Sequence, residues 1–214
     1  MLNTFIQVKN RRKIIVFLVK FTFLTASSEA VFYMEAGSTV CLPFSQSDRT
    51  NSDRFIKKGE EVLCTQFSGS KDTGTTYPVL SRPFNCTTND STISVCINGI
   101  TNDVQGTFKY VIDSEKLENL TLIIASPPAV HTLNNSTAIE GTDFNKKCLY
   151  NVGKPPETNV YWTRQGSSFR HEGDVLSLTK IQRSSSGTYT CTAQNQYSSG
   201  NKGQSKQSMT IDVE

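Results

Sequence analysis

Six cysteines, two histidines and five Asn-x-Ser/Thr sequons are the residues of this chain whose types and spacing could do chemistry. The cysteines stand at 41, 64, 86, 96, 148 and 191, at intervals of 23, 22, 10, 52 and 43. A structural zinc site asks for paired Cys-x-x-Cys or Cys/His spacing, which these intervals do not supply. An even number of widely spaced cysteines reads instead as oxidised pairs formed in an oxidising compartment. Catalysis needs a nucleophile with a base and an orienter, a metal, or a cofactor loop. His171-Glu172 comes nearest to a dyad, within the polar stretch Arg170-His-Glu-Gly173, and His131 stands apart from it. Both histidines read as solvated, and no Gly-x-Ser-x-Gly, His-Glu-x-x-His or Gly-x-Gly-x-x-Gly motif occurs. Asn89-Asp90 and Asn102-Asp103 read as turns held by their own side chains, without the dense carboxylates of a calcium loop. No catalytic residue, metal or cofactor is assigned, and no enzyme activity is expected. The sequons, at Asn85, Asn89, Asn119, Asn134 and Asn135, are candidate glycan acceptors; the last two overlap, so one of them is expected to carry a glycan.

The N-terminus gives these residues a secretory setting. A basic segment, Lys9-Asn-Arg-Arg-Lys13, precedes the apolar run Ile14 to Leu24, broken by Lys20, and small residues follow up to Ala30. Residues 1–30 therefore read as a signal peptide, cleaved near Ala30. The run falls short of the roughly 20 apolar residues that span a bilayer. Five of the 22 basic residues and one of the 19 acidic residues lie in that segment, so the +3 charge of the chain becomes −1 without it. No Lys/Arg cluster remains, which argues against a nucleic-acid partner. No second apolar run of spanning length follows. The expectation is a chain with no membrane span of its own, secreted or at the extracellular face of the plasma membrane.

Short period-2 segments separated by Gly, Asn, Asp and Ser clusters predict an all-β protein. Pro127-Pro128 is the seam, because neither proline can donate to a sheet ladder, and it reads as a short, stiff linker. It divides the mature chain into domains over 31–126 and 129–214.

In the second domain Trp162 follows Cys148 by 14 residues, and Gly187-Thr-Tyr-Thr-Cys191 sets Tyr189 two residues before the second cysteine. This half resembles an immunoglobulin superfamily domain of the intermediate or constant-2 type. The resemblance implies a β-sandwich pinned by Cys148–Cys191, with Trp162 packed on the bridge and Tyr189 at a sandwich corner. Ser185 stands where the family usually has an aspartate, so the ion pair expected at that corner is missing.

The first domain resembles a variable-type immunoglobulin domain with displaced cysteines. Val40-Cys-Leu-Pro-Phe44 looks like strand B and Ile93-Ser-Val-Cys-Ile97 like strand E, with Gly106-Thr-Phe-Lys-Tyr110 as strand F. The resemblance implies that Phe44 and Tyr110 occupy the two positions of the inter-sheet disulfide. Alternation puts Cys41 and Cys96 on the outward faces of strands that neighbour each other in this fold. Cys41–Cys96 with Cys64–Cys86 is the favoured pairing, and Cys86–Cys96 with Cys41–Cys64 stays open. With no tryptophan in this half, Cys64 or a neighbour is expected where strand C usually places its indole. Partner contacts are expected in Arg49–Lys58, with Phe55 and Ile56 as anchors, or in Phe67–Pro83, with Tyr77 and Leu80. Sialic-acid-binding members of the superfamily carry an arginine just after the strand F core position, where this chain has Val111. The resemblance implies extracellular recognition in cell adhesion, a receptor ectodomain or innate immunity, invertebrate proteins included, by a protein partner. A soluble lectin-like factor with a glycan ligand is the alternative.

Overall fold

Alternation decides the architecture of both halves. In the computed structural model residues 3–10, 13–20, 29–45, 52–68, 74–75, 80–89, 91–113 and 115–214 are described. The chain divides after Ile124 into two units. Asn3–Asn10 (β1) and Lys13–Lys20 (β2), within the segment expected as a leader, pair as an antiparallel hairpin.

The first unit continues with Ala30–Met34 (β3), Val40–Ser45 (β4), Arg54–Lys58 (β5), Glu61–Gln66 (β6), Gly74–Thr75 (β7), Phe84–Thr88 (β8), Thr92–Ile97 (β9), Gly106–Ile112 (β10) and Glu115–Ile124 (β11). A front sheet runs β3-β11-β10-β5-β6-β7 and a back sheet β4-β9-β8. β3 runs parallel to β11, from Ala30 opposite Leu120 to Met34 opposite Ile124. Val40, Leu42 and Phe44 of β4 and Ile93, Val95 and Ile97 of β9 are fully buried. They face Ile56, Phe108, Tyr110 and Leu122 of the front sheet in one apolar cluster. Across its centre the rings of Phe44 and Tyr110 lie 5.8 Å apart, tilted by 33°.

The disulfides flank this contact. Cys41 and Cys96 are direct partners in the β4–β9 register, with Cα atoms 3.9 Å apart, and both stay partly exposed on the outer face of the back sheet. Cys64 of β6 bonds Cys86 of β8 and so ties the front sheet to the back one near their edges. Closing loops of 55 and 22 residues removes chain entropy from the unfolded state; the loop model puts this at about 4 and about 3 kcal/mol.

Two expectations change here. Arg54–Lys58 is itself strand C, and Ile56 pairs with Tyr110 across β5 and β10. Ile56 is 0% exposed, so it takes the core place foreseen for Cys64 and offers nothing to a partner. The reason is period 2: with Ile56 inward, Phe55 and Lys57 must point outward. Leu80 also belongs to the core rather than to a contact loop.

The second unit contains Ala129–Val130 (β12), Ser136–Ala138 (β13), Phe144–Lys147 (β14), Tyr150–Asn151 (β15), Asn159–Arg164 (β16), Arg170–Glu172 (β17), Val175–Leu178 (β18), Gly187–Gln196 (β19) and Lys202–Val213 (β20). Its main sheet runs β13-β20-β19-β16-β17, faced by the β14–β18 pair. The Cys148–Cys191 bond spans Cα atoms 6.3 Å apart. Trp162 is fully buried opposite Cys191, and its Nε1 donates to the Asp174 carbonyl at 3.4 Å.

Pro127-Pro128, expected as a linker, belongs to the second unit. Ser126 and Lys154 exchange backbone hydrogen bonds of 3.0 and 2.9 Å. The buried Asn195 donates through Nδ2 to the carbonyls of Ser126 and Pro155, each at 2.9 Å. A Cβ on Gly153 would stand 2.3 Å from the Ser126 oxygen, so this close approach admits only glycine.

The core of the first unit generates a direct test. Phe44→Ala is expected to destabilise it by about 3–5 kcal/mol, the usual range for emptying a buried phenylalanine site. Trp162 is the only tryptophan and lies in the second unit. Denaturant unfolding should therefore show the first-unit transition moving to lower denaturant by circular dichroism while the Trp162 fluorescence transition stays in place.

Candidate functional site

The outward face of the front sheet is built by the residues that alternate with the core. Lys57 of β5 faces Lys109 of β10, and Lys109 in turn faces Asn119 of β11. The next row is Thr65, Phe55, Val111 and Lys116. Phe55 is partly exposed, whereas Val111 is only 8% exposed despite pointing outward, so its neighbours on the face cover it. The β10–β11 register shifts between Tyr110 and Val111, which leaves Leu117 unpaired and 37% exposed. Such a bulge re-aims side chains at a sheet margin. In the other direction Thr107 and Thr121 share a 2.8 Å hydrogen bond, and Thr121 donates to the Glu29 carboxylate at 2.5 Å.

At one end of this sandwich polar groups enter the interior. Arg54 Nη1 donates to Gln66 Oε1 at 3.1 Å, and the Ser45 backbone N–H donates to Glu118 Oε2 at 3.1 Å. Burial pushes the Glu118 carboxyl above its ordinary pKa, with the Ser45 hydrogen bond acting against that shift. Burial likewise raises the Tyr110 phenol, whose hydroxyl has no partner among the described residues. Asp103, on an exposed turn, is held low chiefly by a hydrogen bond from Thr101.

The remaining expected residues are spread over the molecule. Tyr77 lies outside the described residues, as do Arg49, Thr50 and Asn51. Phe67, just after β6, is 60% exposed, the most exposed large aromatic among the described residues of the first unit. Asn85 is exposed and stands opposite Cys96, so Cys41, Cys96 and Asn85 form one row on the outer back sheet. Asn89 is exposed at the β8–β9 turn, where its Oδ1 accepts from the Ser91 and Thr92 backbone N–H groups at 3.0 and 2.8 Å. Asn134 and Asn135 are exposed, and Asn135 Oδ1 accepts from the Thr210 N–H at 2.9 Å. Asn119 is partly buried, with its carboxamide oxygen shut away from solvent.

His171 and Glu172 do not form a dyad. His171 stands opposite Trp162, and the Glu172 carboxylate is taken by Arg170 Nε at 2.5 Å. The Arg170 guanidinium also lies 3.6 Å from the Tyr161 ring centroid. Among the described residues no three His, Cys, Asp or Glu side chains gather where they could hold a metal ion. At the corner of the second unit the Tyr189 hydroxyl donates to the Ser185 carbonyl at 2.9 Å. Arg164, deprived of an aspartate by Ser185, donates through Nη2 to the carbonyls of Ser184 and Ser186 at 2.6 and 2.7 Å. That substitute was invisible in the sequence, because the acceptors are backbone atoms.

Comparison with known proteins agrees with this geometry. The family model described as Immunoglobulin domain matches residues 127–195. The bovine (Bos taurus) transmembrane and immunoglobulin domain-containing protein 1 is 28% identical over 113 residues, covering 47% of this chain and 42% of that protein. Mouse (Mus musculus) IgLON family member 5 is 35% identical over 75 residues, 35% of this chain and 22% of that protein. The chain thus spans less than half the length of the curated relatives it matches. Among solved structures, Dpr2 Ig1-Ig2 in complex with DIP-Theta Ig1-Ig3 superposes with a TM-score of 0.54 at 16% identity, over 87% of this chain and 64% of that one. The titin I67–I69 structure gives 0.58 at 15% identity, over 89% and 65%. At such identities the structures speak for the fold alone. Residues 127–195 thus match the immunoglobulin domain family, and the chain as a whole has the all-β fold of tandem immunoglobulin-like domains.

Glu118 supplies a pH test. Its folded pKa lies above the unfolded one, so its stabilising contribution is present at low pH and lost as pH rises through the raised value. Glu118→Gln is therefore expected to raise the urea midpoint of the first unit at pH 7. That advantage should close once the pH falls below the ordinary glutamate value of about 4.3.

Proposed function

We propose that this chain is a non-catalytic extracellular recognition protein whose first domain engages a protein partner while the second acts as a spacer. Residues 1–30 serve as a leader that is removed, and the exposed Asn85, Asn89 and one of Asn134 and Asn135 carry glycans. The observation that supports the reading most is the outward face of the front sheet. There the partly exposed ring of Phe55 lies beside three lysines, Lys57, Lys109 and Lys116, and in the second domain the Glu172 carboxylate is taken by Arg170 rather than by His171. Exposed apolar area rimmed by polar groups marks an interaction site. Assembly of tandem immunoglobulin chains with one another, as in the Dpr2–DIP-Theta structure, is compatible with this reading.

The experiment is a screen of the secreted chain against an array of extracellular domains, repeated with Phe55→Asp in the first domain and Leu149→Asp in the second. The reading predicts a saturable partner whose binding falls at least about tenfold, or 1.4 kcal/mol, with Phe55→Asp and hardly changes with Leu149→Asp. The reverse pattern, or saturable binding to a glycan array alone, would contradict it.

A further inference from the structure

Lys57 and Lys109 are register partners on the outward face of the front sheet. Direct cross-strand partners hold their Cβ atoms about 5 Å apart, and like charges placed there destabilise a sheet. Neither ammonium has a salt-bridge partner among the described residues. The row beside them adds Lys116, next to Phe55 and Val111. Glu29, whose carboxylate accepts from Thr121 two positions beyond Asn119 on β11, belongs to the segment proposed to be removed as a leader. Among the described residues this cationic pair, beside the partly exposed Phe55, has no counter-charge.

We propose that this face docks an acidic protein surface, with partner carboxylates seated between Lys57 and Lys109 and an apolar side chain over Phe55. The inference rests on the reading of the first domain as the recognition domain and adds the chemistry of the partner. It also sets the kind of pairing. Two copies meeting symmetrically through this face would bring two such lysine pairs together, and like-charge juxtaposition opposes that contact. The partner is therefore a different chain. Asn119 continues the Lys57–Lys109 row, and its buried carboxamide oxygen fits a sequon left without a glycan.

The test uses the full secreted glycoprotein, immobilised poly-L-glutamate as an acidic polypeptide probe and heparin as a sulfated-glycan probe. Lys57→Ala with Lys109→Ala is compared with Lys146→Ala with Lys147→Ala in the second domain. The expected result is poly-L-glutamate binding at low salt that drops at least about tenfold in the first double variant and less than about twofold in the second. Equal losses in both variants would overturn the inference. So would a stronger dependence of heparin binding on the Lys57–Lys109 pair, self-association relieved by the first double variant, or an N-glycan found on Asn119 by peptide mass spectrometry. An array partner indifferent to the first double variant would refute this inference and leave the recognition reading standing. A blank array with pair-dependent poly-L-glutamate binding would count against that reading and support the docking chemistry.

Discussion

The first domain depends on the contact between Phe44 and Tyr110. These two rings meet at 5.8 Å, at the positions where the resemblance to an immunoglobulin domain implies an inter-sheet disulfide. A covalent pin holds two sheets through chain connectivity, whereas an aromatic pair holds them through buried area and ring geometry. The exchange imposes conditions. Both rings must be fully enclosed, and they are, by Ile56, Leu42, Ile93 and Phe108. Tyr110 adds a cost, since its hydroxyl is buried without a partner among the described residues. That cost falls at the same end of the sandwich where Arg54 and Glu118 enter the interior.

The cysteines released from the centre do different work at the margins. Cys41–Cys96 clasps neighbouring strands of one sheet, and Cys64–Cys86 joins the two sheets near the β7 and β8 edges. The second domain keeps the conventional arrangement, with Cys148–Cys191 beside Trp162. The two halves thus both bridge their facing sheets covalently, but in different places: near the edges in the first, and beside the core tryptophan in the second. The half with the unconventional core also carries the sheet face with Phe55 and with Lys57 and Lys109, which have no ion-pair partner among the described residues.

Much of this was legible in the sequence because alternation is a local signal. The pattern Val40-Cys-Leu-Pro-Phe44 alone separates an inward Phe44 from an outward Cys41, and Cys148, Trp162, Tyr189 and Cys191 carry their fold in their spacing. What was not legible needs register or backbone partners. Ile56 lies in a short polar stretch with one apolar residue on each face, so nothing local says which of Phe55 and Ile56 turns inward; the pairing with Tyr110 decides it. The opposition of Lys57 and Lys109 appears only once β5 and β10 are aligned. The docking of Ser126 on Lys154 and Asn195, and the capping of Ser184 and Ser186 by Arg164, run through carbonyl oxygens that every residue has.

The claim that the first domain is closed by an aromatic contact with its disulfides displaced is tested most directly by a non-reducing peptide map of the secreted protein. The account predicts three linked peptide pairs joining Cys41 to Cys96, Cys64 to Cys86 and Cys148 to Cys191. A Cys86–Cys96 linkage together with Cys41–Cys64 would contradict it.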